Sequence, residues 1–194
     1  MSRPRRRLPF QRALALGWAL SLGLLLGAPP DPAQAAPIYN VNSDQDAHKD
    51  ATFPAGECRS TLVPAHPCTL RAAVETAAVA GSGATVNVPR GFVVTLALGA
   101  LPVLVPMTIT SVDPTGARVP GATVDGALTS ADFVIAGGVA GVTISGLTVQ
   151  RGNASGVINL GTVTLDDVSV KLNRANYGAG ILNLGHRQDE RRLG

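Results

Sequence analysis

Six charged side chains in the second half of the chain could act on a sugar polymer. They are four carboxylates, one guanidinium and one amine: Asp125, Asp132, Asp166, Asp167, Arg151 and Lys171. Hydrolysis of a glycosidic bond needs two carboxyl groups about 5–10 Å apart. A polysaccharide lyase needs carboxylates that bind calcium, together with a basic proton acceptor. Either chemistry therefore depends on the elements that would bring these side chains together.

Those elements form a repeat of short β-strands. The stretch VTISGLTVQ (142–150) matches VTLDDVSVK (163–171), and GVINLG (156–161) matches GILNLG (180–185) at a slightly larger offset. A period of roughly 20–25 residues built from short strands indicates a β-solenoid. An antiparallel sandwich is disfavoured because Asn-Gly hairpin turns are absent from the chain. A leucine-rich solenoid is disfavoured because its leucine spacing is absent.

Within each repeat the aliphatic residues change phase, at Ser145-Gly146 in one copy and at Asp166-Asp167 in the next. Because a strand alternates its faces with period two, a phase change predicts a bend between two strands. No carboxylate stacks beside Asp166 and Asp167, since their equivalents are Ser145 and Gly146. Acidic residues in turns are usually solvated. We therefore predict no catalytic residue, no cofactor and no metal site other than a weak calcium site at Asp166 and Asp167.

Two asparagines occupy equivalent positions of the repeat. Asn159 lies in the first copy and Asn183 in the second. Stacked side-chain amides at equivalent positions can form a hydrogen-bonded ladder along the axis of a solenoid. The sequence therefore predicts such a ladder between these two residues.

Residues 1–35 have the order of a secretory signal peptide. Arginines precede an apolar run over 13–27. Ala33-Gln34-Ala35 then matches the small-residue pattern at which signal peptides are cleaved. The run is shorter than the roughly 20 residues that span a bilayer, and an uncleaved anchor is the alternative. No later segment is apolar enough to span a membrane. We expect a secreted or cell-surface bacterial protein, with general secretory or twin-arginine export left open.

The signal peptide also accounts for the basic balance of the chain. The whole sequence has 16 basic and 13 acidic side chains, and 11 and 12 remain after residue 35, a net charge of −1. A near-neutral chain without a basic cluster before its tail does not favour a nucleic-acid partner. Charged residues are 15% of the sequence and aromatic residues 4%, both low for a soluble enzyme.

The two cysteines, Cys58 and Cys68, lie ten positions apart. In an exported chain such a pair most simply forms a disulfide that closes a small loop. The alternative is a metal site that adds His66 and His48, but its spacing matches no standard zinc pattern. The disulfide is therefore the prediction.

A short amphipathic helix is predicted over residues 69–80. Its apolar residues recur on one face, Thr69 is a suitable N-cap, and Gly81 follows its end. Arg71 and Glu75 are four residues apart, so we expect them to pair on the helix surface. Such a helix would cover the end of the neighbouring structure.

Two parts of the chain resemble known exported proteins. Cys58 followed by Cys68-Thr69-Leu70-Arg71-Ala72-Ala73-Val74 resembles the CSLREA domain, which is found near the N-terminus of exported bacterial right-handed parallel β-helix proteins. The segment KLNRANYGAGI (171–181) is similar to repeats of polymorphic outer membrane proteins. The resemblance implies an all-β fold, a right-handed parallel β-helix of the pectate-lyase-like kind with a short N-terminal capping helix. It implies a surface or secreted protein and no particular reaction.

The expected organisation has four parts. A signal peptide (1–35) precedes a CSLREA-like cap with its disulfide and helix (36–84), β-helix coils of roughly 21 residues each (85–185) and a charged tail (186–194). Because the tail has no apolar face to cover the last coil, we expect a shortened version of a longer β-helix protein.

The function expected from these features is structural or adhesin-like, with extracellular carbohydrate or cell-surface components as partners. A polysaccharide lyase or glycosidase and a carbohydrate-binding module on the same fold are the alternatives. The residues do not indicate a particular ligand or oligomeric state.

Overall fold

The computed structural model describes residues 35–81 and 83–185. The predicted signal peptide, apart from Ala35, and the charged tail lie outside these residues. The described residues form three parallel sheets and one short helix, which confirms the predicted all-β, parallel class. Within these ranges, no helix has the length and apolar composition that a membrane span requires.

The helix α1 spans Leu70–Ala80, and the described chain has thirteen strands. In chain order the strands are β1 (Ile38–Asn40), β2 (Ala84–Pro89), β3 (Val93–Thr95), β4 (Leu101–Val103), β5 (Met107–Val112), β6 (Ala122–Asp125), β7 (Phe133–Ile135), β8 (Val142–Ser145), β9 (Leu147–Gln150), β10 (Val157–Asn159), β11 (Val163–Asp166), β12 (Ser169–Lys171) and β13 (Ile181–Asn183).

The chain visits the three sheets in a fixed order. The first sheet has the order β1-β2-β5-β8-β11, the second β3-β6-β9-β12 and the third β4-β7-β10-β13. From β2 onward the chain passes through the first, second and third sheets in turn, four times. We call each passage a circuit. Every strand therefore lies beside its equivalent in the neighbouring circuit.

The strand register confirms both matches between the repeats. Val142 pairs with Val163, and Val157 pairs with Ile181, as the two alignments of the sequence require. The second circuit, from β5 to β8, is longer, because Thr108 pairs with Thr143, whereas Thr85 pairs with Thr108 in the circuit before it. The additional residues include a loop after β5, in which Asp113 Oδ1 accepts hydrogen bonds from Thr115 and Ala117. The predicted coil length of roughly 21 residues is thus wrong for the second circuit, which this loop lengthens, and close to the observed spacing in the first and third circuits.

Alternation of side chains puts one row of each strand into a common core. The bends predicted from the phase change are present: Gly146 and Asp167 have φ of 66° and 56° between successive strands. The predicted ladder is also present, since Asn159 Nδ2 donates to Asn183 Oδ1 at 3.0 Å. Among the described residues the largest fully buried side chain is Phe133, and it belongs to one core cluster with aliphatic residues from all three sheets.

Helix α1 covers the start of the core. Thr69 Oγ1 accepts a hydrogen bond from the Ala72 amide at 3.1 Å, as expected of an N-cap. The helix buries Leu70 and Val74 on the face that packs on the first strands, β2 and β4. The predicted disulfide between Cys58 and Cys68 is formed just before the helix, with a Cα–Cα distance of 5.1 Å.

The prediction that Arg71 and Glu75 pair on the helix surface is wrong. The Arg71 side chain is 3% exposed and pairs with Asp46, with Nε 2.6 Å from Oδ1. Its other nitrogens donate to the carbonyls of Gly99 and Ala100. The buried guanidinium needs this full set of acceptors, which a neighbour on the same helix could not supply. Glu75 instead lies 2.6 Å from His48 Nδ1.

Candidate functional site

Two of the predicted carboxylates meet at the turn from the second to the third sheet. Asp125 ends β6 and Asp132 precedes β7, and Gln150 and Arg151 lie at the same turn of the next circuit. We call these four residues the acid corner. Arg151 forms an ion pair with Asp125, with Nε 3.0 Å from Oδ1, and Gln150 Nε2 donates a hydrogen bond to Asp125 Oδ2 at 2.9 Å. The Asp125 carboxylate is therefore held in place by a cation and by a neutral donor.

Asp132 differs from Asp125 in having no hydrogen-bond partner. Its side chain is fully buried, and neither carboxylate oxygen meets a donor in full hydrogen-bond geometry, although the nearby Gly126 amide partly offsets the rise of the pKa. Burial, and then the negative charge of Asp125, raise the pKa of Asp132 to about 8. Asp132 is therefore protonated at neutral pH while Asp125 is engaged by a cation. Two acids with such different surroundings are a common feature of acid–base catalysis.

Within the acid corner, the Asp132 carboxyl is nevertheless closed to a substrate. A Cβ placed on Gly126, the residue after Asp125, would lie 3.0 Å from Asp132 Oδ1. A Cβ on Gly152 would lie 2.7 Å from Asp132 Oδ2 and would clash with the Ser155 carbonyl. The backbone of two circuits thus encloses Asp132 so tightly that only glycine fits. A catalytic acid must reach the leaving group of its substrate, and this packing leaves no path to it.

The other predicted site residues are not part of this corner. Asp166 pairs with Arg118, whose Nη1 lies 2.7 Å from Asp166 Oδ2, and both side chains are about half exposed. Asp167 is exposed at its bend, and Lys171 is exposed at the end of β12. In the part of the chain that the structure describes, no three His, Cys, Asp or Glu side chains form a group that could hold a metal ion. Asp166 is already paired with Arg118. The calcium site at Asp166 and Asp167 stays a prediction.

The outer face of the first sheet carries two rows of short polar side chains, which we call the polar face. Strand register aligns the first row through four threonines, and the second row continues from two asparagines to Asp166. Asn87 Nδ2 donates to Asn40 Oδ1 at 2.9 Å, and Ser145 Oγ donates to Thr110 Oγ1 at 2.8 Å. The first row is Thr85, Thr108, Thr143 and Thr164, and the second is Asn40, Asn87, Thr110, Ser145 and Asp166, of which Thr110 and Ser145 are buried.

The outer face of the third sheet is the opposite in character. Register aligns Pro102 with Val134, Ile158 and Leu182. The next outward residues are also aligned by backbone hydrogen bonds between neighbouring strands. For example, the Leu160 amide donates to the Ile135 carbonyl. We call the resulting surface the apolar face. It consists of Pro102, Leu104, Val134, Ala136, Ile158, Leu160, Leu182 and Leu184.

Two open cavities lie beside these faces. One, of about 510 Å³, adjoins the polar face and is lined by Asn40, Asn87 and Arg90 together with the loop after β5. The other, of about 340 Å³, contains Tyr177, which is 83% exposed, beside Asn153 and Asn176. An exposed aromatic ring with nearby amides is suited to a sugar ring. Sequence reasoning missed both cavities, because their residues come from separate circuits.

Comparison of the chain with protein-family models, with curated proteins and with solved structures finds no match.

Proposed function

We propose that this chain is an exported, right-handed parallel β-helix protein that binds extracellular polymers, as an adhesin does, without transforming them. The cyclic visiting of three parallel sheets supports the β-helix, since it is the path that such a coil requires. The right hand follows from the general preference of crossovers between parallel strands. Resemblance of the Cys58–Val74 segment to the CSLREA domain supports an exported, cell-surface role.

The observation that carries the binding role is the polar face. Four threonine side chains lie in register on neighbouring strands, and neighbouring parallel strands are about 4.8 Å apart. A regular row of hydroxyl groups can hydrogen-bond to successive units of an extended polymer, whereas a single pocket would accept one unit. The cavity at Asn40, Asn87 and Arg90 extends the row with amide and guanidinium donors. A polysaccharide is therefore the ligand class we propose.

Binding of the purified protein to a glycan array and to insoluble polysaccharides tests this role. The double variant Thr108→Val/Thr143→Val removes two hydroxyls of the polar face while keeping the shape of each side chain. The matched control is Thr123→Val/Thr148→Val, which makes the same change on the outer face of the second sheet. We expect at least a tenfold loss of affinity for the first variant and none for the control. Absence of binding by the unaltered protein, or an equal loss in both variants, would contradict the proposal.

A polysaccharide-active enzyme is the second candidate, and the different surroundings of Asp125 and Asp132 support it. The enclosure of Asp132 favours binding over catalysis. Release of reducing ends or unsaturated sugars from a bound polysaccharide would separate the two. Turnover that is lost in Asp132→Asn, at unchanged binding, would replace the adhesin role by an enzyme.

A carbohydrate-binding module is the third candidate, and it would use the cavity at Tyr177. The variant Tyr177→Ala removes the exposed ring and leaves the polar face intact. If this variant loses glycan binding while Thr108→Val/Thr143→Val does not, the binding site is the cavity and not the polar face.

Export has its own test. The signal peptide predicts cleavage after Ala35, so N-terminal sequencing of protein recovered outside the cytoplasm should begin at Ala36. An intact N-terminus in that protein would favour the uncleaved anchor.

A further inference from the structure

The loop after β5 (113–118) has no counterpart in the other described circuits, where the first and second sheets are joined by short bends. Its conformation is fixed at both ends. The Asp113 amide donates to the Ala117 carbonyl at 2.9 Å, and Arg118 Nη1 lies 2.7 Å from Asp166 Oδ2. The cavity of about 510 Å³ that this loop lines beside the polar face is therefore already formed, as ligand sites usually are.

Arg90 is the cation of this cavity. Its stem lies against the backbone of Gly121, where a Cβ would be 2.9 Å from Arg90 Cγ and 3.3 Å from its Nε. Among residues 35–81 and 83–185, no carboxylate forms an ion pair with Arg90, whereas Arg118 and Arg151 each have one. The exposed guanidinium is therefore positioned by the chain and available to a ligand.

The cavity also contains one carboxylate and two amides. Asp113 Oδ1 accepts from the Thr115 hydroxyl at 2.6 Å and from the Ala117 amide at 3.0 Å. The hydrogen bonds from Thr115 and Ala117 lower the pKa of Asp113, so it is ionised at neutral pH. Asn87 Nδ2 donates to Asn40 Oδ1, which leaves the Asn40 amide nitrogen and the Asn87 amide oxygen facing a ligand. The cavity thus combines one cation with several groups that suit hydroxyls.

Three kinds of polysaccharide unit differ in how they match this set of groups. A neutral sugar has no group to pair with the charge of Arg90. A sulfated unit with several charges is repelled by Asp113. A uronic-acid unit has one carboxylate, which fits the planar fork of a guanidinium, and several hydroxyls for Asp113 and the amides.

We propose that the cavity binds the carboxylate of a uronic-acid unit through Arg90, so that the ligand of the polar face is an acidic polysaccharide. This inference rests on the proposed function, because the unit belongs to the polymer that lies along the threonine row. Arg90 then determines which polymers are bound, and the row holds the rest of the chain.

Binding of the purified protein to acidic polysaccharides tests this site. The probes are alginate, hyaluronan and xanthan, each beside its carboxyl-reduced form, which keeps the linkages and lacks the charge. We expect at least one acidic polymer to bind about tenfold more tightly than its reduced form, because charge-assisted hydrogen bonds are the stronger ones. Dextran sulfate should bind more weakly than that polymer. Equal or tighter binding of dextran sulfate would overturn the preference for a carboxylate.

Matched variants assign the preference to Arg90. Arg90→Met removes the cation and keeps an apolar stem over Gly121, and Lys171→Met removes an exposed cation at the end of β12 as the control. We expect Arg90→Met to bind the acidic polymer only as tightly as the reduced form, whose own affinity does not change. Arg90→Lys, which keeps the charge without the planar fork, should lose part of the preference. Equal losses in Arg90→Met and Lys171→Met would indicate general charge attraction and overturn the proposal.

The outcomes separate this inference from the proposed function. Equal affinity of the unaltered protein for every acidic polymer and its reduced form would overturn the role of Arg90 and leave polysaccharide binding standing. A preference that is lost in Arg90→Met but persists, at unchanged affinity, in Thr108→Val/Thr143→Val would support the site and contradict the threonine row. Binding of no polymer in either form would overturn both.

Discussion

The two ends of the stacked sheets contain the same kinds of inward side chain but differ in what covers them. At the first circuit, α1 packs on β2 and β4, and inward residues such as Val86 and Leu101 are completely buried. At the fourth circuit, Leu165 is only half-buried and Ile181 is 44% exposed. Among residues 35–81 and 83–185, no element lies on β11, β12 and β13 as α1 lies on the first strands.

This difference shows that strand pairing alone does not close a stack of parallel sheets. Each circuit is buried by the next one, so the terminal circuits need a separate cover. The first end has one, and the buried pair of Arg71 and Asp46 fastens it. Asp46 Oδ2 also accepts from the Leu98 amide, so this pair joins the segment before α1, the helix itself and the turn before β4. We expect the first end to be the more stable of the two.

The largest effect should follow from breaking the pair that fastens the covered end. Arg71→Met leaves the Asp46 carboxylate buried without its cation, which typically costs about 3–5 kcal/mol of unfolding free energy. Urea denaturation measures this loss. The double variant Arg71→Met/Asp46→Asn removes the stranded charge and should recover most of the stability. If the single and double variants are equally destabilised, the ion pair does not fasten the cover.

A matched pair of core truncations compares the interior with the open end. Ile144 and Leu165 are register partners in one inward row, and Ile144 is completely buried while Leu165 is not. Ile144→Ala should cost about 2–5 kcal/mol, and Leu165→Ala should cost less than about 2 kcal/mol because its site is already in contact with water. Denaturant unfolding of both variants gives the comparison. Equal losses would mean that the last circuit is covered in solution.

Asp132 tests how tightly the middle circuits enclose their turn. Because the pKa of Asp132 is raised from 3.8 to about 8, the folded chain retains a proton that the unfolded chain releases as the pH rises between these values. The unfolding free energy therefore falls through this window and levels off above it. Relative to Asp132→Asn, the unaltered protein should lose on the order of a few kcal/mol. Denaturation at a series of pH values measures it, and parallel pH curves for the two proteins would mean that Asp132 is solvated.

The repeat was predictable because its aliphatic spacing is local. The two alignments between repeats, the bend at Gly146 and the ladder of Asn159 and Asn183 all follow from residues within two adjacent stretches. The N-cap Thr69 was predictable for the same reason. Strand β4 was not predictable in this way, because Pro102 weakens its strand signal. It is recognised only by its pairing with the parallel neighbour β7.

The acid corner was not predictable, because it depends on which turns stack on each other. Asp132 and Asp125 were both candidates, but their sequence positions do not reveal that Gly126 and Gly152 enclose one of them. The same limit applies to Arg71, whose acceptors lie 25 to 29 positions away. The apolar face could have been recognised from the charge-free segments around LPVL, FVIA, INL and ILNL once their register was known.

Native-state hydrogen exchange followed by mass spectrometry tests the contrast between the two ends most directly. We expect hydrogen-bonded amides of β11, β12 and β13 to exchange through local opening at a lower free energy than those of β2 and β5, which should exchange only with global unfolding. Equal protection of the first and last circuits would contradict this expectation, because the open end would then be as well covered as the end beneath α1.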